Sequence, residues 1–151
     1  MMKNITSKVL KGLLMSDGVN ITPSIKQHVG TLVPTLLKCD TCGALDYKGV
    51  IHIVFNTAFY NKLNYEERRF CVLHELGHYS ISDEGYERNI YSEIQADSYA
   101  FKHMGYTPAI KAMQGILEKL PKHARNEFKE RMKIQINIEY AKQIARSTNI
   151  I

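Results

Sequence analysis

Several absences narrow this 151-residue chain before any motif is read. No run of eighteen apolar residues occurs, so no segment reads as a membrane-spanning helix. Lys8 and Lys11 interrupt any signal-like apolar core near the N-terminus, and a soluble, cytoplasmic protein with no membrane partner is expected. The cysteines are only three, Cys39, Cys42 and Cys71, and an odd number without a secretion signal argues against a disulfide framework. Cys39 and Cys42 form one CxxCG, half of a zinc ribbon, but no second CxxC supplies the other two ligands. A turn with two reduced thiols is the expected reading, with a second metal site or redox pair as the alternative. Repeats, low-complexity tracts and Pro/Gly-rich linkers are missing too. At 44% hydrophobic residues the chain can bury one proper core, and it is too short for two ordinary ones. A single domain over 1–151 is expected.

The net charge of +5 is concentrated, because residues 108–146 hold nine Lys or Arg against four Glu while the remainder balances. Such a face can attract nucleic acid or an acidic protein. Basic and acidic residues are mixed along it, however, and no nucleic-acid motif accompanies them, so a solvated surface is the expected reading.

Residues 50–56, Val-Ile-His-Ile-Val-Phe-Asn, are β-branched and apolar and read as a buried strand. Thr22-Pro23 reads as a helix start, and Pro34 argues for an extended stretch over 31–38. Asn64 with Glu67 three residues later makes a capping box that starts a helix through the most informative segment of the chain. Gly85 marks the loop that follows. A helix over about 89–104 ends at Gly105, Thr107-Pro108 opens another to about Leu120, and Pro121 begins the last. In that last helix Phe128, Met132, Ile136 and Tyr140 form an i,i+4 row that should face the core. The alternation of Ile134, Ile136 and Ile138 leaves a short strand at 133–139 as an alternative.

The informative segment is His74-Glu75-Leu76-Gly77-His78, an HExxH inside the apolar run Phe70-Cys71-Val72-Leu73. Residues four apart on a helix share a face, so two imidazoles can grip one metal ion while Glu75 takes a proton from a water. Gly77 permits close backbone approach. The third ligand is expected from Glu93, with Asp97 four residues on accepting the Nδ1 proton of a ligating imidazole. A metzincin would need glycine and histidine where Ile81 and Glu84 stand. Asp83 and Glu84 could reach the ion only by folding back, and Glu93 is preferred to both. Against this stands an ordinary amphipathic helix that carries two histidines by chance. The metal expected is Zn2+.

The order Glu67-Arg68-Arg69-Phe70-Cys71-Val72-Leu73-His74-Glu75-Leu76-Gly77-His78, then Glu93-Ile94-Gln95-Ala96-Asp97-Ser98-Tyr99-Ala100, resembles the ImmA/IrrE-like zinc metallopeptidases over about 50–104. The resemblance implies zinc on His74, His78 and Glu93, general base chemistry at Glu75 and support of a ligand by Asp97. It also implies an α+β, minimal zincin-like (gluzincin) fold, with a small β-sheet packed on an active-site helix, further C-terminal helices, and strand 50–56 lining the cleft so that an extended substrate adds along its edge. Cys71-Val72 replaces small residues usual before the motif, and no helix-turn-helix region is present. Gly105-Tyr106-Thr107-Pro108 after Ala96-Asp97 also resembles larger membrane-associated gluzincins.

The expected function is hydrolysis of peptide bonds in an intracellular protein by zinc-activated water. Tyr106 and His103 are candidate oxyanion donors, as are Tyr86 and His123. The alternatives are a nucleic-acid-associated zinc protein using the basic C-terminal helices and a non-catalytic, zinc-stabilised binding module.

Overall fold

The computed structural model describes residues 7–15, 18–81 and 89–148. It is α+β, with one four-stranded mixed sheet and seven α-helices among the described residues. The strands β1 (Val19–Thr22), β2 (Ile25–Gly30), β3 (Cys42–Tyr47) and β4 (Val50–Asn56) lie in the order β1-β2-β4-β3. β2 runs parallel to β4, and the outer pairs are antiparallel. The β3–β4 hairpin turns on Lys48-Gly49, whose φ values of 51° and 79° suit a tight primed turn and favour glycine at the second place.

Because successive side chains point to opposite faces, β4 serves two cores. Ile53 and Phe55 face the larger one, built with α3 (Thr57–Lys62), α4 (Tyr65–Ile81), α5 (Ile90–Met104), α6 (Tyr106–Lys119) and α7 (Arg125–Ser147). Val54 faces the smaller one, with Val9 and Leu13 of α1 (Ser7–Met15) and Val33 of α2 (Leu32–Leu36). No described helix is long and apolar enough to cross a membrane.

Several expectations are corrected. Strand 50–56 is buried as expected, but it is an inner strand hydrogen-bonded on both sides, so no substrate can add along it. The outer strand on that side is β3. Thr22-Pro23 is not a helix start but the β1–β2 turn, where the Ser24 amide donates to Thr22 Oγ1 at 3.3 Å. Proline with a preceding hydroxyl suits a turn as well as a cap. Residues 32–36 are helical because Pro34 sits in the first turn, where its missing N–H costs no helical bond. Gly105, not Thr107, is the N-cap of α6. Residues 133–139 are helical, and the buried face of α7 is Phe128, Arg131 and Gln135, while Ile136 and Tyr140 are exposed. Gly85 lies outside the described residues.

His28 and His52 meet beneath the smaller core, with Nε2 of one 2.9 Å from Nδ1 of the other. Burial first, then the charges of His52 and Lys26, push His28 down to about 4. The folded state therefore refuses a proton that the unfolded chain accepts near pH 6.5, so stability falls as the pH drops from about 6.5 towards 4, by about 3 kcal/mol for this group. Denaturant unfolding at pH 7 and 4.5 measures the loss. A His28→Gln variant that loses as much stability on acidification as the wild type would exclude His28 as its source.

Candidate metal centre

The helix carrying the HExxH motif begins where the capping box places it. The Glu67 amide donates to Asn64 Oδ1 and the Asn64 amide to Glu67 Oε1, each at 2.9 Å. Glu67 is buried and also pairs with Lys119 of α6, which ties the start of α4 to the helix beside it. One turn per 3.6 residues then brings His74 and His78 to the same face. A second capping box, Asn89 with Ser92, starts α5 and sets Glu93 in its first turn and Asp97 four residues on.

These two helices approach backbone to backbone at Gly77. A Cβ there would lie 2.9 Å from the Ala96 Cα and O and from the Tyr99 Cβ. Gly77→Ala should therefore push α5 outward and destabilise the protein by about 1–3 kcal/mol, as overpacking does. Unchanged thermal stability in that variant would mean the helices are not pressed together there.

The close approach sets three buried ligand atoms around one point. Nε2 of His74 and Nε2 of His78 are 3.2 Å apart, and the Glu93 carboxylate lies 2.9 Å from the first and 3.5 Å from the second. Tetrahedral ligands about 2.0–2.1 Å from zinc are roughly 3.3 Å from one another, so the spacing fits such an ion. The donor set, two imidazoles and a carboxylate, is one that zinc accepts, although it does not by itself identify the metal. Nδ1 of His74 donates to Asp97 Oδ1 at 2.8 Å, and because a carboxylate only accepts, this leaves the lone pair on Nε2 in the neutral ring.

No protein-family model, curated protein or solved structure matches the chain. The reading of the centre therefore rests on its own geometry and electrostatics. Burial opposes charge on His74, but the hydrogen bonds of Asp97 and Glu93 overcome it and raise the imidazole to about 10. Burial likewise opposes the Glu93 charge, yet the bonds from His74 and His78 hold its carboxyl well below the usual range. Glu75 is raised by burial, while His78 is lowered by it.

Arg131 is the residue that sequence reasoning missed. It reaches in from α7, donating from Nε to Asp97 Oδ2 at 2.8 Å and from Nη2 to Oδ1 at 2.7 Å, with Nη1 3.7 Å from Glu93. Gln135, one turn later, donates to Ser98 Oγ and the Ile94 carbonyl of α5. Their signal in the sequence is the spacing of Phe128, Arg131 and Gln135, which sets one face of α7 against α5.

A cavity of about 530 Å³ opens beside the centre. It is bounded by residues 37–45, including the start of β3, by Phe70, Cys71, His74, Glu75 and His78 of α4, and by Ile116, His123 and Phe128. Of the candidate oxyanion donors among the described residues, only His123 lines it, paired at 3.3 Å with Asp40. His103 packs on Tyr99 and Tyr106 on Phe101, and neither lines the cavity. Tyr86 and the rival ligands Asp83 and Glu84 lie outside the described residues. Cys39, Cys42 and Cys71 form no disulfide among the described residues.

Proposed function

We propose that the chain is a zinc metallopeptidase of zincin-like fold, similar to the ImmA/IrrE-like enzymes, acting on an extended segment of a protein. The observation that carries this reading is the convergence of His74, His78 and Glu93 at the wall of a cleft that also holds Glu75, a carboxylate outside the ligand trio. Bound zinc would polarise a water and the scissile carbonyl. Glu75 then takes a proton from the attacking water and delivers it to the leaving amine, a role suited to a buried carboxyl whose proton affinity is raised. Asp97 keeps the His74 ring turned toward the ion, and Arg131 keeps Asp97 in place.

β3 borders the cleft and, among the described residues, has no strand beyond its outer edge, so a peptide chain can pair there as a fifth strand. This replaces the inner strand β4 as the docking edge.

Purified protein should hold one zinc, and Glu93→Ala should lose most of it because two imidazoles alone make an incomplete site. Metal analysis by atomic absorption, together with cleavage of a mixed peptide library, is the test. Full zinc in Glu93→Ala would remove Glu93 from the ligand set, and a zinc-loaded wild type that cleaves no peptide would remove the peptidase reading.

A further inference from the structure

Glu75 is buried, and among the described residues its side chain has one hydrogen-bond partner, the Cys42 thiol, whose Sγ donates to Oε2 at 3.8 Å. The two come from different elements, Cys42 being the first residue of β3 and Glu75 lying in the middle of α4. The thiol therefore links the edge of the cleft to the carboxylate that the peptidase reading makes the proton carrier.

Cys42 shares the cavity wall with Cys39. Its side chain packs against the larger core, on the α4 side of the sheet. Cys39 Sγ lies 3.4 Å from where a Cβ on Gly43 would stand, and alternation along the strand sends that position to the other face. The thiol neighbours of Cys42 are Cys39 and Cys71, and Cys71, one helical turn before Glu75, hydrogen-bonds it. That bond, burial and the nearby Glu75 charge all push the Cys42 thiol up, so it keeps its one proton, which Cys71 and Glu75 share as acceptors.

We propose that Cys42 is a positioning residue whose S–H holds the Glu75 carboxylate at the cleft wall beside His74 and His78. A buried carboxylate with no donor is free to turn between rotamers, which misplaces the oxygen that must meet a proton. The thiol is a weak donor, but among the described residues it is the side-chain donor that reaches Glu75.

The inference rests on the role given to Glu75, and its test separates the two. The S–H stretching band falls in an otherwise clear window of the infrared spectrum, and loss of one band in Cys42→Ala identifies the thiol. That band should move to higher frequency in Glu75→Ala, and an unmoved band overturns the contact. In zinc-loaded protein, Cys42→Ala should lower kcat about tenfold with KM and zinc content unchanged. Cys42→Ser, which keeps a donor, should recover part of the rate. A Cys42→Ala variant as fast as wild type, or a serine variant no better than alanine, overturns the positioning role. Should the wild type cleave nothing, the peptidase reading fails, and the infrared shift alone decides whether Cys42 holds Glu75.

Discussion

Glu75→Gln is expected to keep its zinc and its fold and to lose peptide hydrolysis by at least about a hundredfold. Glutamine has the shape of the carboxylic acid but cannot take a proton at either terminal atom. The ligand atoms that converge belong to His74, His78 and Glu93, so the metal does not depend on residue 75. Stability should not suffer either, because burial already favours the neutral acid and the amide is its neutral counterpart. Initial rates on a cleaved peptide, set beside zinc content and the unfolding midpoint, decide the matter. Equal rates for variant and wild type would rule out Glu75 as the proton carrier, whereas lost zinc would show that it supports the metal.

Arg131→Met should cost about 3–5 kcal/mol of folding stability, the usual result of leaving a buried charge without its partner. Asp97 is fully buried, and two of the hydrogen bonds to its carboxylate come from this guanidinium. Its ionised form is kept below the ordinary carboxylate range against the opposing effect of burial, chiefly by the Arg131 charge. This contribution is present above the unfolded carboxylate value and is lost as the pH falls through the folded one. Zinc affinity should fall as well, by about 10–100-fold, because Asp97 orients the His74 ring. Asp97→Asn in the Arg131→Met background should restore part of the stability by removing the orphaned charge, but not the zinc affinity. Denaturant unfolding of the metal-free proteins gives the first quantity and zinc titration the second. A loss below about 1 kcal/mol in Arg131→Met would mean that the ion pair does not support the core of the site.

The parts of this protein readable from the sequence are those set by local spacing. A capping box fixes where α4 begins, a helix repeat puts His74 and His78 on one face, and the same repeat joins Glu93 to Asp97. The buried strand 50–56 announced itself through its β-branched, largely apolar residues. These signals operate within a few residues, where backbone geometry leaves little choice.

Tertiary structure decided what local spacing leaves open. Thr22-Pro23 suits a helix cap and a turn equally, and pairing of β1 with β2 selects the turn. Apolar periodicity set Phe128 and Met132 of α7 against the core, as they are, but it also counts the exposed Ile136 and Tyr140 as core and treats a charged residue as surface. Arg131 is buried because Asp97, which is 34 residues away in sequence, compensates its charge. Which strand forms the edge of the cleft, and that Cys42 reaches Glu75, likewise depend on the strand order β1-β2-β4-β3. Side-chain type and spacing determine which residues can form a metal centre; long-range pairing of strands and buried charges determines what surrounds it, because those partners meet only when the chain has folded.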